Sequence, residues 1–251
     1  MTAAFFALCG ICLFVGLLVG GTGMGGILVP PALVLLSGLK THVAMGTTLA
    51  SFIPMDIAGC ILFRKNQYLD SRAIPLSVGG ALSAAPFALW NTHVAATFLM
   101  VILSCLVLFA GYSTFRPARA GNAASGRFWL TSRGLFVIGA ATGSIAGLTG
   151  AGGPLLAIAW MVTCGLHPLS AVGFSMPYSL ATAVTASCCN CLNNNVDIPC
   201  LCTVSAVELA GFLVGACCVR KMPVIWIRRL MGVTCIVLGL FLLVRTLFLN
   251  G

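Results

Sequence analysis

An all-α polytopic membrane protein built from two inverted copies of one unit is the fold class this sequence predicts, and three observations predict it. The first is composition. Sixty per cent of the 251 residues are hydrophobic, 7% are charged, and mean hydropathy is +1.10. A soluble domain of this length could not cover its surface with so few charges. The second is internal repetition. Gly20-Gly21-Thr22-Gly23-Met24-Gly25-Gly26 returns as Gly147-Leu148-Thr149-Gly150-Ala151-Gly152-Gly153, at an offset of 127 residues. From Gly16 to Leu49, twelve of thirty-four positions are identical to their partners at that offset, without a gap. The third is that equivalent loops carry opposite charge patterns, which inverts one copy against the other.

The elements follow in order. Apolar stretches run over Thr2–Gly21, Met24–Ser37, Val43–Phe63, Ala73–Trp90 and Val94–Tyr112, then over Gly134–Leu148, Gly153–Gly165, Leu169–Leu192, Ile198–Val219 and Leu230–Leu249. A helix needs roughly 20 residues to cross a hydrocarbon core of about 30 Å. Most of these stretches qualify. Met24–Ser37 and Gly153–Gly165 are too short, and both begin at the glycine motif, so they read as half-helices. The expected total is about 8–10 membrane-embedded helical segments, either five per half or three full spans with a re-entrant glycine hairpin per half. The first repeat covers residues 1–115, a cytoplasmic basic linker 116–133, and the inverted second repeat 134–251.

Loop charges set the orientation. Arg64, Lys65 and Arg72 flank the break after the third segment of the first half, whereas its counterpart Leu192–Asp197 has no Lys or Arg. The next break reverses this: Trp90–His93 lacks fixed positive charge, and its counterpart holds Arg220, Lys221, Arg228 and Arg229. The linker adds Arg116, Arg119, Arg127 and Arg133 and is cytoplasmic by the same rule. The net charge of +9 therefore reads as topology signals and contacts with lipid headgroups, not as a nucleic-acid surface. Met1–Phe5 lacks the positive region of a signal peptide, so the first segment is expected to stay in the bundle with its N-terminus outside.

Thirteen cysteines raise metal or redox chemistry. The dense spots are Cys188-Cys189-Asn190-Cys191, Cys200-Leu201-Cys202 and Cys217-Cys218, while His42, His93 and His167 lie elsewhere at segment ends. Metal sites need converging ligands at known spacings. Small apolar packing is the better reading, and no metal or cofactor is expected. Cys191 and Cys200 flank the expected external loop, where an oxidising compartment would allow a bridge.

A run such as Gly23-x-Gly25-Gly26 does not stay a quiet helix interior, because glycine is a poor helix former and accepts angles other residues refuse. In lipid, a broken backbone survives only where protein buries it or a wet cavity borders it. The helix that restarts beyond the break points free N–H groups and its positive end at the break, which suits an anion. The plain alternative is close helix packing through small residues. Recurrence before two unusually short segments favours a substrate site made of Thr22, Gly23, Gly25 and Gly26 with Thr149, Gly150, Gly152 and Gly153.

These residues carry a resemblance. Gly20–Gly26 followed by Pro30, then Ala44-Met45-Gly46-Thr47-Thr48 and Asn66–Asp70, with Gly147–Gly153 and Ala171-Val172-Gly173-Phe174-Ser175 in the second half, make the chain resemble the sulfite exporter TauE/SafE family. The family is also called the toluene sulfonate uptake permease family, and the likeness covers essentially the whole chain. It implies a multi-pass transporter of the bacterial cytoplasmic (inner) membrane that handles sulfite, sulfonates or related carboxylate anions. The copies differ chemically, since Phe174 stands where Thr47 does and Pro154 where Ile27 does.

A second layer of candidate substrate ligands comprises Thr47, Thr48 and Ser51, with Ser175 and Tyr178 as the partners of Thr48 and Ser51. Hydroxyls bind an oxyanion without the cost of burying a fixed charge, although Ser and Thr also bond their own helix. Pro54 and Pro177 interrupt the same helices. Asp56 and Glu208 are the two acids within spans, so each is a candidate for taking and releasing a coupling proton. Asp70 and Asp197 precede new segments and read as helix N-caps.

The expected function is secondary transport of a small anion by alternating access, coupled to protons through Glu208 or Asp56. Nothing resembles a Walker motif. Inside-negative voltage favours anion exit, so export needs little coupling, whereas uptake needs protons or sodium. The alternatives are a passive anion channel or facilitator and a membrane-embedded thiol-redox enzyme. No span pairs His with Ser or Cys at helical spacing, so an enzyme is not expected. Partners are the small anionic substrate and membrane lipids, without nucleic acid, and a homodimer suits so small a bundle.

Overall fold

The computed structural model describes residues 2–23, 25–65, 73–115, 130–150, 154–164, 166, 168–218, 233, 236–244 and 246. Asp70, Arg72, His167, Gly152, Gly153 and residues 116–129 and 219–232 lie outside them, as does the side chain of Thr22.

Helix α1 runs Thr2–Thr22, and α3 runs Thr41–Lys65. Between them, the short α2, Gly26–Ser37, opens as a 3-10 turn, continues through Pro30 and Pro31, and ends in a wide π-type turn. Gly38, at φ 65°, ends it in a left-handed cap that a side chain would strain. The first copy continues with α4, Ala73–Trp90, and α5, Ala96–Phe115. The second copy supplies α6, Ser132–Thr149, α7, Pro154–Thr163, α8, Pro168–Leu192, and α9, Ile198–Cys218. The chain is helical again at 236–244. Among the described residues every regular element is a helix.

Each expected apolar stretch that lies in the described residues became a helix, with ends shifted by a few residues. Helix α6 starts at Ser132 under a Thr131 cap, whose side chain accepts from the Gly134 N–H at 3.4 Å, so the helix takes in the last two residues of the expected linker. Helices α1, α3, α4 and α9 contain stretches long and apolar enough to cross a membrane. Exposed Phe6, Ile61, Ile74, Leu82 and Phe98 give the outside of the bundle a surface suited to hydrocarbon.

The packing pattern maps onto itself when the two copies are exchanged. Helix α1 lies along α9, and its counterpart α6 lies along α4. Helix α3 touches α9, and its counterpart α8 touches α4, while α3 and α8 pack on each other at the centre. One apolar cluster is built mainly from α1, α2, α3 and α5 with Val204 and Phe212 of α9; a second is built mainly from α6, α7 and the first half of α8 with Ala73 and Leu76 of α4. Each half of the core therefore takes its fourth helix from the other copy.

Glycines make these crossings. A Cβ on Gly16 or Gly20 would strike the α9 backbone at Glu208 and Phe212, and one on Gly211 or Gly215 would strike α1 at Leu13 and Leu17. In the other copy Gly139, Gly143 and Gly147 lie against Leu76, Gly80 and Ala84. Spacing of four residues keeps these glycines on one helix face, so two backbones run in contact over two turns. The packing reading of the glycines is correct for this subset.

Candidate functional site

The remaining motif glycines make the break. Gly23 has φ 70° and its repeat partner Gly150 has φ 64°, both left-handed, and each closes the last turn of its helix by donating to a carbonyl four residues back. Gly23 bonds Val19 at 2.8 Å and Gly150 bonds Ala146 at 2.9 Å. Gly25, at φ 146°, turns the chain into α2. Two glycine functions are thus interleaved in one heptapeptide.

The first break and the start of α7, the helix that follows the second break, border one cavity. Gly23, Gly25 and Gly26 line it from the first copy, Pro154 and Leu155 from the start of α7 in the second, Phe52 and Met55 from α3, and Met176 from α8. Val19 completes the apolar wall. Its polar side chains are Asp56 and Ser179, and no Lys, Arg or His lines it among the described residues. The interior has room for roughly one water molecule. An anion enters only if the helices around it part.

Asp56 is buried to 1% exposure. Ser179 on α8 is the polar neighbour of the Asp56 carboxyl, and Oδ2 has no hydrogen-bond partner. Glu208 lies elsewhere, fully buried where α1, α3 and α9 meet, and does not line the cavity. Both its oxygens lack a partner at hydrogen-bond distance. Its polar neighbours are Ser51, whose hydroxyl donates to the Thr48 carbonyl, and the Cys12 thiol.

The hydroxyls expected as a second layer are buried but do not line the cavity. Thr48 donates to Ala44 at 2.7 Å, Ser51 to Thr48 at 2.9 Å, Ser175 to Val172 at 2.8 Å and Thr149 to Ile145 at 2.7 Å, all carbonyls of their own helices. Tyr178 donates to Thr142 of α6 at 2.8 Å, tying α8 to that helix. Thr47 accepts from the Asp197 N–H at 3.0 Å, so it anchors the turn before α9. Asp197 in turn caps α9, accepting from the Cys200 N–H at 2.9 Å, in line with the expected N-cap. Phe174 could not do what Thr47 does, and the two copies are asymmetric here for that reason.

Sequence reasoning missed Ser179 and Asn91. Ser179 is one turn beyond Ser175 on α8, and that spacing was the available signal. Asn91 is buried at the end of α4; it donates to the Leu148 carbonyl in the last turn of α6 and pairs with His42 Nδ1 at 2.7 Å. It steadies the second break just before Gly150. Its signal was faint, because an asparagine beside a tryptophan at a segment end reads as loop.

Cys191 and Cys200 are both free thiols. Among the described residues no group of three His, Cys, Asp or Glu side chains could hold a metal ion.

The family model described as Sulfite exporter TauE/SafE matches residues 8–242, nearly the whole chain. No curated protein and no solved structure matches it.

Proposed function

We propose that this chain, which belongs to the sulfite exporter TauE/SafE family, carries a small sulfur-containing or carboxylate anion, such as sulfite or a sulfonate, by alternating access across the bacterial cytoplasmic membrane. The observation that carries the reading is one cavity at the contact of the two copies, lined by the first glycine break and by the start of α7, the helix that follows the second. Backbone N–H groups at the starts of α2 and α7 supply the attraction for an anion where no cationic side chain does. Gly23, Gly25, Gly26 and Gly150, with Gly152 and Gly153 as repeat partners, let the backbone come that close. Thr22 and Thr149 stand beside the breaks. Thr47, Thr48, Ser51, Ser175 and Tyr178 support the site by fixing α3 and α8.

The cavity is too small for an anion in this conformation, which favours a carrier over an open pore. Transport requires the halves to part on one side at a time. The exchanged packing of α4 and α9 gives each half a rigid block that can rock against the other. A coupling proton would be carried by Asp56 or, alternatively, by Glu208.

Uptake of labelled sulfite, sulfonates and short carboxylates into proteoliposomes tests the reading. Saturable flux lost in Gly25→Leu and Gly152→Leu, with the folded protein recovered, is the expected result. Equal flux in wild type and both variants would remove the glycine site, and flux linear in concentration would point to a channel.

A further inference from the structure

The cavity presents a puzzle for an anion site: among the described residues, its one ionisable lining side chain is an acid. Asp56 sits opposite the starts of α2 and α7, in walls that are otherwise apolar apart from Ser179. The geometry points to Asp56 as an exchange group that competes with the substrate anion for the same helix ends, so that one proton enters the site with each anion. This rests on the anion-carrier reading above and adds its coupling.

The argument starts from space and charge. The interior holds roughly one water molecule, so an anion bound there is in contact with Asp56 or nearly so. Two negative charges about 4 Å apart, at an effective dielectric constant of about 20, repel enough to weaken binding on the order of a thousandfold. Among the described residues no lining cation offsets this. A proton on Asp56 removes the repulsion. It also turns Asp56, whose Oδ2 has no partner, into a group able to donate an O–H to the anion. The proton thus converts the site's obstacle into a ligand.

The surroundings leave few other sources for that proton. On its own helix, the Cys60 thiol lies one turn beyond Asp56; on α9, Glu208 is the nearby acid; on α8, the neighbour is the Ser179 hydroxyl, which does not titrate. From α1, α2 and α7 the lining side chains are Val19, the glycines, Pro154 and Leu155, none of which titrates. Glu208 does not reach the cavity and so cannot exclude an anion from it by contact. When the anion leaves, Asp56 gives up its proton, and its carboxylate occupies the helix ends during the return of the empty carrier.

A monovalent anion moving with one proton carries no net charge. The test uses methanesulfonate, which stays a monoanion throughout the pH range of the assay, in proteoliposomes with a potassium–valinomycin voltage clamp and an internal pH dye. Wild type is expected to take up one proton per methanesulfonate, to ignore the clamped voltage, and to accumulate the anion about tenfold per unit of inward pH gradient. Asp56→Asn is expected to move methanesulfonate without protons, down its gradient only, with flux that now follows voltage. Asp56→Glu and Glu208→Gln are expected to keep the coupling.

Proton-driven accumulation in Asp56→Asn would overturn the assignment, and its loss in Glu208→Gln would place the proton on α9 instead. Wild-type flux that carries no protons, or that follows voltage, overturns it even if Asp56→Asn cannot be purified. Absence of methanesulfonate movement in wild type at every pH would instead sink the sulfonate-carrier reading beneath it.

Discussion

At the scale of single residues, burial decides which polar groups are structural. Thr47 is held by one cross-copy hydrogen bond to the N–H of Asp197. Thr47→Val leaves that N–H, which is partly buried, without its acceptor, at a cost of about 1 kcal/mol. The melting temperature in detergent is expected to fall by a few degrees while the transport KM stays unchanged; a large KM change would make Thr47 a ligand. Asn91→Ala removes the donor to Leu148 and the partner of His42 together, for about 1–3 kcal/mol. Because Asn91 holds the second break, its loss is expected to lower kcat as well as stability. Gly23→Ala combines a left-handed backbone with crowding against Val172, whereas Gly10 has open space around it. Gly23→Ala is therefore expected to abolish flux and Gly10→Ala to leave it intact, as read by uptake at equal protein density.

At the scale of elements, the two glycine-faced crossings are the joints of the fold. α1 on α9 and α6 on α4 use backbone-to-backbone contact, which dispersion supports only while no side chain intervenes. Gly16→Ile and Gly143→Ile should each separate one crossing and should do so to similar extents, because the sites are repeat partners. Comparable losses of thermal stability in the two variants would bear this out. Loss in one alone would mean that one crossing carries the fold. The short helices α2 and α7 matter differently: neither is long enough to span, and each begins at the wall of the cavity.

At the scale of the whole molecule, the exchanged packing suits copies related by a two-fold operation, and the loop charges predict an axis in the membrane plane. Reporter fusions after Lys65 and after Asn193 test this directly, since both positions follow the third segment of a copy. A cytoplasmic reporter is expected at the first and an external one at the second. The same side for both would make the repeat parallel and would end the alternating-access scheme.

The sequence by itself determined the membrane class, the repeat and its offset, the existence of α1 to α9 and the place of both breaks. These are local or self-comparing properties: apolar run length fixes whether a segment is a buried helix, and glycine clusters fix where it cannot continue. It also placed the Asp197 cap, because capping is a contact within one turn. The tertiary structure alone decided what each residue faces. Gly16 and Gly20 meet a neighbouring backbone while Gly23 and Gly25 border the cavity, though all four lie within ten residues. Thr48, Ser51 and Ser175 spend their protons on their own helices, and of two intramembrane acids only Asp56 reaches the cavity. The physical reason is that these helices are apolar on every side, so no hydrophobic stripe marks the inward face. Which face turns inward is set by the partner helix that packs there, and in this fold that partner comes from the other copy.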